Sequence, residues 1–145
     1  MKVPRFPCSS ERGQRQVVLL VEDEPFVREA TCRILQSAGF DVLPAEDARG
    51  ALRIYEDRGR KIDLLMSDLV LPGRSGRQLG HDLRRTSPLI PILLTSGYLE
   101  PGCDVETLEA RTYYLPKPYS RADLVEKMDQ ILGEAPRYRA ATQAG

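Results

Sequence analysis

Short apolar runs alternate along the chain with segments in which apolar residues recur every three or four positions. Continuous apolar runs are typical of strands buried on both faces of a parallel sheet, and the longer period is typical of amphipathic helices. Strands are therefore predicted over 17–21, 41–45, 62–67, 91–97 and 112–115.

Helical patterns follow each of the predicted strands. Pro25 suits the first turn of the first helix, and Asp47 can cap the second. Helices are predicted over 25–38, 47–59, 75–85, 104–110 and 120–133. The helix over 104–110 offers only Val105 and Leu108 to a core, so we expect it to be short and weakly held. This alternation predicts an α/β fold, in which a doubly wound parallel sheet carries helices on both faces.

Length and charge restrict the class of protein. The 145 residues suffice for one domain with a sizeable core, and 21 basic and 21 acidic side chains cancel. No overall field therefore favours nucleic acid or an anionic membrane, and we expect neither as a partner. The three cysteines form no CxxC motif, which fits a reduced, cytoplasmic setting. No apolar run reaches the ~18 residues of a membrane span, and the N-terminus lacks the apolar core of a signal peptide.

Changes in composition predict the domain boundaries. Residues 1–16 carry two prolines and scattered charge without periodicity, so we expect a flexible N-terminal segment. The predicted elements place one folded domain over 17–133. Residues 134–145 are polar and small, and we expect a flexible C-terminal tail that is too short for a second domain.

Two kinds of side chain on the predicted third helix lack a clear chemical partner. His81, the only histidine, has no acidic residues at metal-ligand spacing and is expected at the surface. Arg84 and Arg85 lack interleaved aromatic residues, so a solvated face is expected there rather than a nucleic-acid surface.

Polar side chains collect where four of the predicted strands end. Glu22 and Asp23 follow the first strand, Asp68 follows the third, Thr95 lies near the end of the fourth, and Lys117 follows the fifth. Function in an open parallel sheet gathers beyond the carboxyl ends of the strands, close to the point where strand order reverses. We therefore expect these side chains to converge.

Convergence of these groups would support phosphoryl chemistry at Asp68. Carboxylates crowded together repel one another unless a cation lies among them, and ligands that are all oxygen suit Mg²⁺. A carboxylate such as Asp68 can attack a phosphorus centre and hold the phosphoryl group as a mixed anhydride. The Lys117 ammonium and the Thr95 hydroxyl would then meet the phosphoryl oxygens.

In four of its segments the chain resembles the receiver domain of two-component response regulators, which also occurs in hybrid histidine kinases. The matching segments are VVLLVEDEP, LLMSDLVLPGRSG, ILLTSG and YYLPKPY, which run from residue 17 to residue 119 of the predicted domain over 17–133. LLTSGY and LPKPY are similar to the receivers of the hybrid kinases in particular. The resemblance implies a flavodoxin-like (βα)5 fold with five parallel strands in the order 2-1-3-4-5.

The resemblance also implies roles for the residues at the strand ends. Asp68 would accept a phosphoryl group from a histidine kinase or a histidine phosphotransfer protein. Mg²⁺ would be bound by Asp23, Asp68 and the backbone carbonyl of Val70, with Glu22 acting through water.

A conformational switch and a protein-interaction surface are implied as well. Tyr114 matches the aromatic switch position, which would turn inward as Thr95 moves toward the phosphoryl group. The bond between Lys117 and Pro118 resembles the family's cis peptide, which would direct the lysine to the site. The face made by the fourth helix, fifth strand and fifth helix would contact a downstream protein, and relatives form homodimers through it. The resemblance implies a signalling phosphoprotein rather than a free-standing enzyme.

Three alternatives have weaker support. A Mg²⁺-dependent phosphatase of the haloacid dehalogenase type also forms an aspartyl phosphate, but it requires a second Asp where this chain has Val70. A nucleotide-binding protein would carry GxxxxGK[ST] or GxGxxG after the first strand, and neither motif is present. A receiver-like module that binds partners without phosphorylation would not need the complete set of Asp68, Thr95 and Lys117.

Overall fold

The computed structural model describes residues 15–59, 61–97 and 109–134. The strands of the main sheet are β1 Val17–Val21, β2 Asp41–Ala45, β3 Leu64–Asp68, β6 Ile92–Ser96 and β7 Thr112–Pro116. Two further strands, β4 Val70–Leu71 and β5 Arg74–Ser75, form a small hairpin. The described helices are α1 Pro25–Ser37, α2 Ala48–Asp57, α3 Gly76–Arg84 and α4 Arg121–Glu134. The helix predicted over 104–110 lies, but for its last two residues, outside the described residues.

All neighbouring strands of the main sheet run parallel, in the order β2-β1-β3-β6-β7. Counting only the five strands of this sheet, the order is 2-1-3-4-5, which confirms the predicted flavodoxin-like topology. The first two predicted strands have the observed bounds. The third begins at Leu64 rather than at residue 62 and includes Asp68.

Each described helix is preceded by a residue whose side chain accepts or exchanges hydrogen bonds with the first turn. The predicted cap Asp47 accepts from the amide of Gly50 over 2.7 Å. Ser75 forms a reciprocal capping box with Gln78 at the start of α3. Ser120 and Asp123 exchange backbone-to-side-chain bonds of 3.0 Å at the start of α4. Such caps satisfy amides that a helix leaves without partners.

The core consists of two apolar layers, one on each face of the sheet. Successive side chains of a strand point to opposite faces, so β1 gives Leu19 to one layer and Leu20 to the other. Helices α2 and α3 cover the first layer, and α1 and α4 cover the second. Their largest fully buried side chains include Tyr55, Leu79, Leu83, Leu35 and Leu124. Within the described ranges, no helix combines the length and apolar character needed to cross a membrane.

The small hairpin directly after Asp68 was not predicted. Val70 pairs with Ser75, and Gly73 takes a φ of 79° at the turn, a conformation that favours glycine. The amide of Gly76 then donates to the carbonyl of Leu69 over 2.8 Å. Asp68 is therefore held between a buried strand and a tight hairpin that leads into α3.

Candidate functional site

The strand register brings the predicted site residues to one edge of the sheet. Asp68 lies beside Thr95 across β3 and β6, and the end of β7 lies beside Ser96. The amide of Lys117 donates to the carbonyl of Ser96 over 2.9 Å, which fixes the residue after β7 at the same edge. Glu22 follows β1 directly, next to β3. The expected convergence is therefore present.

Lys117 bridges two buried carboxylates. Its Nζ atom lies 2.7 Å from Oε1 of Glu22 and 2.7 Å from Oδ1 of Asp68. The side chains of Glu22 and Asp68 are only 4% and 9% exposed, whereas that of Lys117 is 22% exposed. The ammonium is thus the counter-charge for both carboxylates, in surroundings that screen charge less than water does.

Thr95 contacts the same carboxylate. Its hydroxyl donates to Oδ1 of Asp68 over 3.1 Å, and its side chain is buried. The ammonium of Lys117 and the hydroxyl of Thr95 therefore meet on one oxygen of Asp68. A group bonded to this carboxylate would lie within reach of both donors.

Burial and mutual repulsion separate the pKa values of the two buried carboxyls. Burial, the hydrogen bond shared with Glu22 and the charge of Glu22 raise the pKa of Asp68 to about 7, against the lowering effect of Lys117. Burial also raises the pKa of Glu22, but its hydrogen bonds with Asp68, Lys117 and the Glu24 amide outweigh this effect, so the pKa of Glu22 is lowered. The same two carboxylates raise the pKa of Lys117 despite the opposing effect of burial. Of these two carboxyls, Asp68 is consequently the more easily protonated.

The acidic residues have the composition of a Mg²⁺ site. Glu22, Asp23 and Asp68 each offer a carboxylate oxygen, and these oxygens lie within 4.8 Å of one another. Asp23 is exposed, which leaves one side of the cluster open to solvent. Oxygen ligands combined with access for water are what Mg²⁺ prefers, so the donor set fits this ion. Val70, the predicted carbonyl ligand, lies in the hairpin next to this cluster, and its side chain is 64% exposed.

The predicted switch residue Tyr114 is attached to the strand that carries Thr95. Its hydroxyl lies 2.9 Å from Oγ of Ser96 and donates to the carbonyl of Ser96 over 3.2 Å. Tyr114 is half-buried and packs against the core layer under α2 and α3. The bond between Lys117 and Pro118 is cis, as predicted.

Two contacts near the site were not predicted. The hydroxyl of Tyr119 lies 2.8 Å from Oγ1 of Thr31, which is only 2% exposed. Arg28 donates from Nη1 to the backbone carbonyl of Glu22 over 2.8 Å. The sequence signal for the first contact is that Thr31 is four residues from both Val27 and Leu35, on one apolar face of α1.

The interpretation of Arg84 as a solvated residue was wrong. Its side chain is 15% exposed and donates to the carbonyls of Ile90 and Arg111 over 3.0 and 2.9 Å. It therefore connects α3 to the segments that enter β6 and β7. His81 is 63% exposed, as expected, and its Nε2 lies 3.2 Å from Glu109.

Comparison with known proteins identifies relatives of this chain. Residues 18–129 match the family model for the response regulator receiver domain. The chain is 39% identical over 116 residues to the sensor kinase CckA of Brucella abortus, covering 79% of this chain and 12% of that protein. It is 33% identical over 120 residues to the phosphate regulon transcriptional regulatory protein PhoB of Pseudomonas aeruginosa, covering 81% and 52% respectively.

Solved structures of receiver domains have the same fold as this chain. The receiver domain of the hybrid histidine kinase CckA is 36% identical, with a TM-score of 0.69 over 80% of this chain and 98% of that domain. A CheY-like receiver domain protein from Methanospirillum hungatei JF-1 is 26% identical, with a TM-score of 0.77 over 86% and 99%. The domain-sized relatives are thus matched almost over their full length, whereas CckA of Brucella abortus and PhoB of Pseudomonas aeruginosa extend well beyond the chain.

Proposed function

Because the chain belongs to the response regulator receiver domain family of two-component systems, we propose that Asp68 accepts a phosphoryl group from a phosphohistidine in a Mg²⁺-dependent reaction. The observation that carries the proposal is the buried Asp68 carboxylate, which meets both Lys117 and Thr95 at the carboxyl edge of the sheet. A lone carboxylate at a strand end would commonly be a loop cap. A carboxylate in contact with a cation and a hydroxyl can carry an anionic adduct, because both groups would stabilise the added negative charge.

The proposed transfer exchanges one phosphorus bond for another. An oxygen of Asp68 attacks the phosphorus atom, the new O–P bond forms, and the N–P bond to the donor imidazole breaks with its electron pair remaining on nitrogen. Lys117 and Thr95 already lie against the acceptor carboxylate and would contact the transferred oxygens. Their roles are to orient the group and to offset its charge.

The acidic cluster would hold the metal ion. Asp23 and Asp68, with the carbonyl of Val70, are the proposed direct ligands. Glu22 would act through water, because its two oxygens already accept from Lys117 and from the amide of Glu24. When bound, Mg²⁺ would neutralise part of the charge on the carboxylates and on the phosphoryl group.

The proposed donor and output are both proteins. The similarity to the receiver domain of a hybrid histidine kinase supports a histidine kinase or a histidine phosphotransfer protein as donor. We propose that the exchange takes place in the cytoplasm. We propose that phosphorylation draws Thr95 toward the phosphoryl group and releases Tyr114 from Ser96. The face made by β7, α4 and the helix that the sequence predicts over 104–110 would then bind a downstream protein or a second copy of the chain; residues 104–108 lie outside the described residues. A free-standing enzymatic activity is not part of the proposal.

The test is intact-mass spectrometry after incubation with acetyl phosphate, with and without Mg²⁺. The expected result is a single phosphoryl adduct that requires Mg²⁺ and is absent from Asp68→Asn. Asp57→Asn, at the exposed end of α2, is the matched control and should be labelled like the unmodified chain. An adduct that persists in Asp68→Asn would refute the acceptor assignment. If neither acetyl phosphate nor a phosphorylated histidine phosphotransfer protein labels the chain, and beryllofluoride also fails to bind, the module acts without phosphorylation.

The phosphatase alternative has a separate outcome in the same experiment. It would require continuous release of inorganic phosphate from a phosphate ester. The position that would supply the general acid is occupied by Val70, whose side chain cannot transfer a proton. We therefore expect no such turnover.

A further inference from the structure

The loop that carries Lys117 is fastened to α1 through a pair of hydroxyls. This loop connects β7 to α4 and contains Pro118, which has no amide hydrogen to donate. The next side chain, Tyr119, reaches across to α1 and places its hydroxyl 2.8 Å from Oγ1 of Thr31. Thr31 is 2% exposed and Tyr119 is half-buried, so the pair is partly shielded from water. Loss of the Tyr119 hydroxyl would leave the buried Thr31 hydroxyl without this partner.

The ring of Tyr119 contributes to the same attachment. It packs against the core layer that α1 and α4 cover. Burial raises the pKa of the Tyr119 phenol, and the charges of Lys117, Glu22 and Asp68 also act on it. Tyr119 is only two residues from Lys117 in the same loop, so its position helps to set the position of Lys117.

Helix α1 holds the opposite side of the site as well. Arg28 donates to the carbonyl of Glu22, the residue that shares the Lys117 ammonium with Asp68. Arg28 and Thr31 are three positions apart, so they lie on one face of the helix. One face of α1 is thus bonded both to the loop that carries Glu22 and to the loop that carries Lys117.

We propose that Tyr119 and Thr31 are positioning residues for phosphoryl transfer: their hydroxyl pair fixes the loop after β7 against α1 and so holds the Lys117 ammonium at Asp68. The inference rests on the proposed acceptor role of Asp68. Neither hydroxyl contacts the reacting atoms, and both act through the position of Lys117. Because a small misplacement of a catalytic group lowers the rate strongly, the pair should affect the transfer step rather than donor binding.

The test compares Tyr119→Phe, Thr31→Val and the double variant with the unmodified chain. Each single variant should lower the maximal rate of phosphorylation by acetyl phosphate by roughly fivefold, the size expected for one buried hydrogen bond. The donor concentration for half-maximal rate should stay unchanged. The double variant should be no slower than the slower single variant, because the two hydroxyls form one contact. Ser37→Ala removes a hydrogen bond between α1 and Arg121 at the start of α4, and this variant should be phosphorylated at the unmodified rate.

A second measurement observes Lys117 without any phosphoryl donor. The ¹⁵N signal of its side-chain ammonium, assigned by its loss in Lys117→Arg, should shift or broaden in both single variants and stay unchanged in Ser37→Ala. Variants that are less stable but keep the normal rate and the normal Lys117 signal would show a structural role only and would overturn the proposal. If the unmodified chain takes no phosphoryl group, the proposed function fails, and the Lys117 signal alone decides whether the hydroxyl pair positions the lysine.

Discussion

The ammonium of Lys117 lies 2.7 Å from Oε1 of Glu22, a contact that joins residues 95 positions apart in the chain. The longer side chain of glutamate, compared with aspartate, reaches the lysine while its second oxygen accepts from the amide of Glu24. Lys117 is also shared with Asp68, so a single cation balances two buried carboxylates. The site is consequently short of positive charge, which bears on its stability and on its affinity for metal ions.

Replacement of Lys117 by alanine should destabilise the protein. Both carboxylates would lose their counter-charge while they stay buried, and breaking such a pair costs about 3 kcal/mol. The expected result is a lower urea midpoint in Mg²⁺-free buffer above neutral pH, with partial recovery when Mg²⁺ is added. The matched control, Lys127→Ala on α4, should unfold close to the unmodified midpoint. The double variant Lys117→Ala/Glu22→Gln lacks the Glu22 charge and should therefore recover part of the stability. If it were as unstable as Lys117→Ala, the loss of counter-charge would not explain the destabilisation.

Replacement of Glu22 by glutamine should weaken Mg²⁺ binding. The change keeps the shape of the side chain and removes one negative charge, while the positive charge of Lys117 remains. Loss of a group that acts on a metal through water commonly lowers affinity about tenfold. Calorimetric titration with Mg²⁺ measures this change in affinity. Asp57→Asn is the control, because it removes the same charge at a position away from the cluster. Equal affinities of Glu22→Gln and the unmodified chain would exclude Glu22 from the metal site.

The fold and the set of converging residues could be predicted because they depend on the order of elements. A run such as 17–21 is typical of a strand covered on both faces, and parallel strands bring their carboxyl ends together whatever the loops contain. Asp68, Thr95 and Lys117 therefore had to approach one another once the strand order was assigned. Their chemical roles remain predictions, since those roles depend on a phosphoryl group and a metal ion.

Contacts that depend on how elements face one another could not be predicted. Thr31 and Tyr119 are 88 positions apart, and only the packing of the β7–α4 loop against α1 brings their hydroxyls together. In the sequence, Arg84 and Arg85 form a charged pair of the kind found on solvated helix faces. Only the position of α3 against the start of β6 shows that Arg84 is enclosed. The hairpin after Asp68 was missed because its strands have only two residues each, too few to show alternation.

Replacement of Gly76 by alanine should disturb Asp68, the proposed acceptor residue. An added Cβ atom would lie 2.2 Å from the backbone oxygen of Asp68 and 3.0 Å from Oγ of Ser67, so the backbone must shift. We expect a loss of stability of about 2 kcal/mol, together with slower phosphorylation. Gly133→Ala is the matched control because its added Cβ would contact nothing within 4 Å. Chemical denaturation measures the loss of stability. A folded Gly76→Ala variant that is phosphorylated at the normal rate would contradict the predicted slowing.

Replacement of Tyr114 by phenylalanine should weaken the proposed switch without removing the proposed acceptor, Asp68. The variant loses both hydroxyl contacts to Ser96, at a cost of about 1 kcal/mol. Phosphorylation should still occur, but the chemical-shift changes that it causes over 112–116 should shrink. Ser96→Ala keeps the carbonyl contact and should give an intermediate response. Identical responses of Tyr114→Phe and the unmodified chain would mean that the hydroxyl plays no part in the switch.

Arg84 stabilises the end of the sheet opposite the site, and its replacement should separate stability from phosphorylation. A lysine at this position has a single ammonium and cannot reproduce the planar set of donors that meets Ile90, Arg111 and Thr112. Arg84→Lys should therefore lower the free energy of unfolding by about 2 kcal/mol, because buried carbonyls lose charged donors. Arg85→Lys, on the neighbouring exposed residue, should have little effect. Arg84 touches none of the residues around Asp68. Both variants should therefore accept a phosphoryl group at the unmodified rate when folded. A slower rate in Arg84→Lys would show that the two ends of the sheet are coupled.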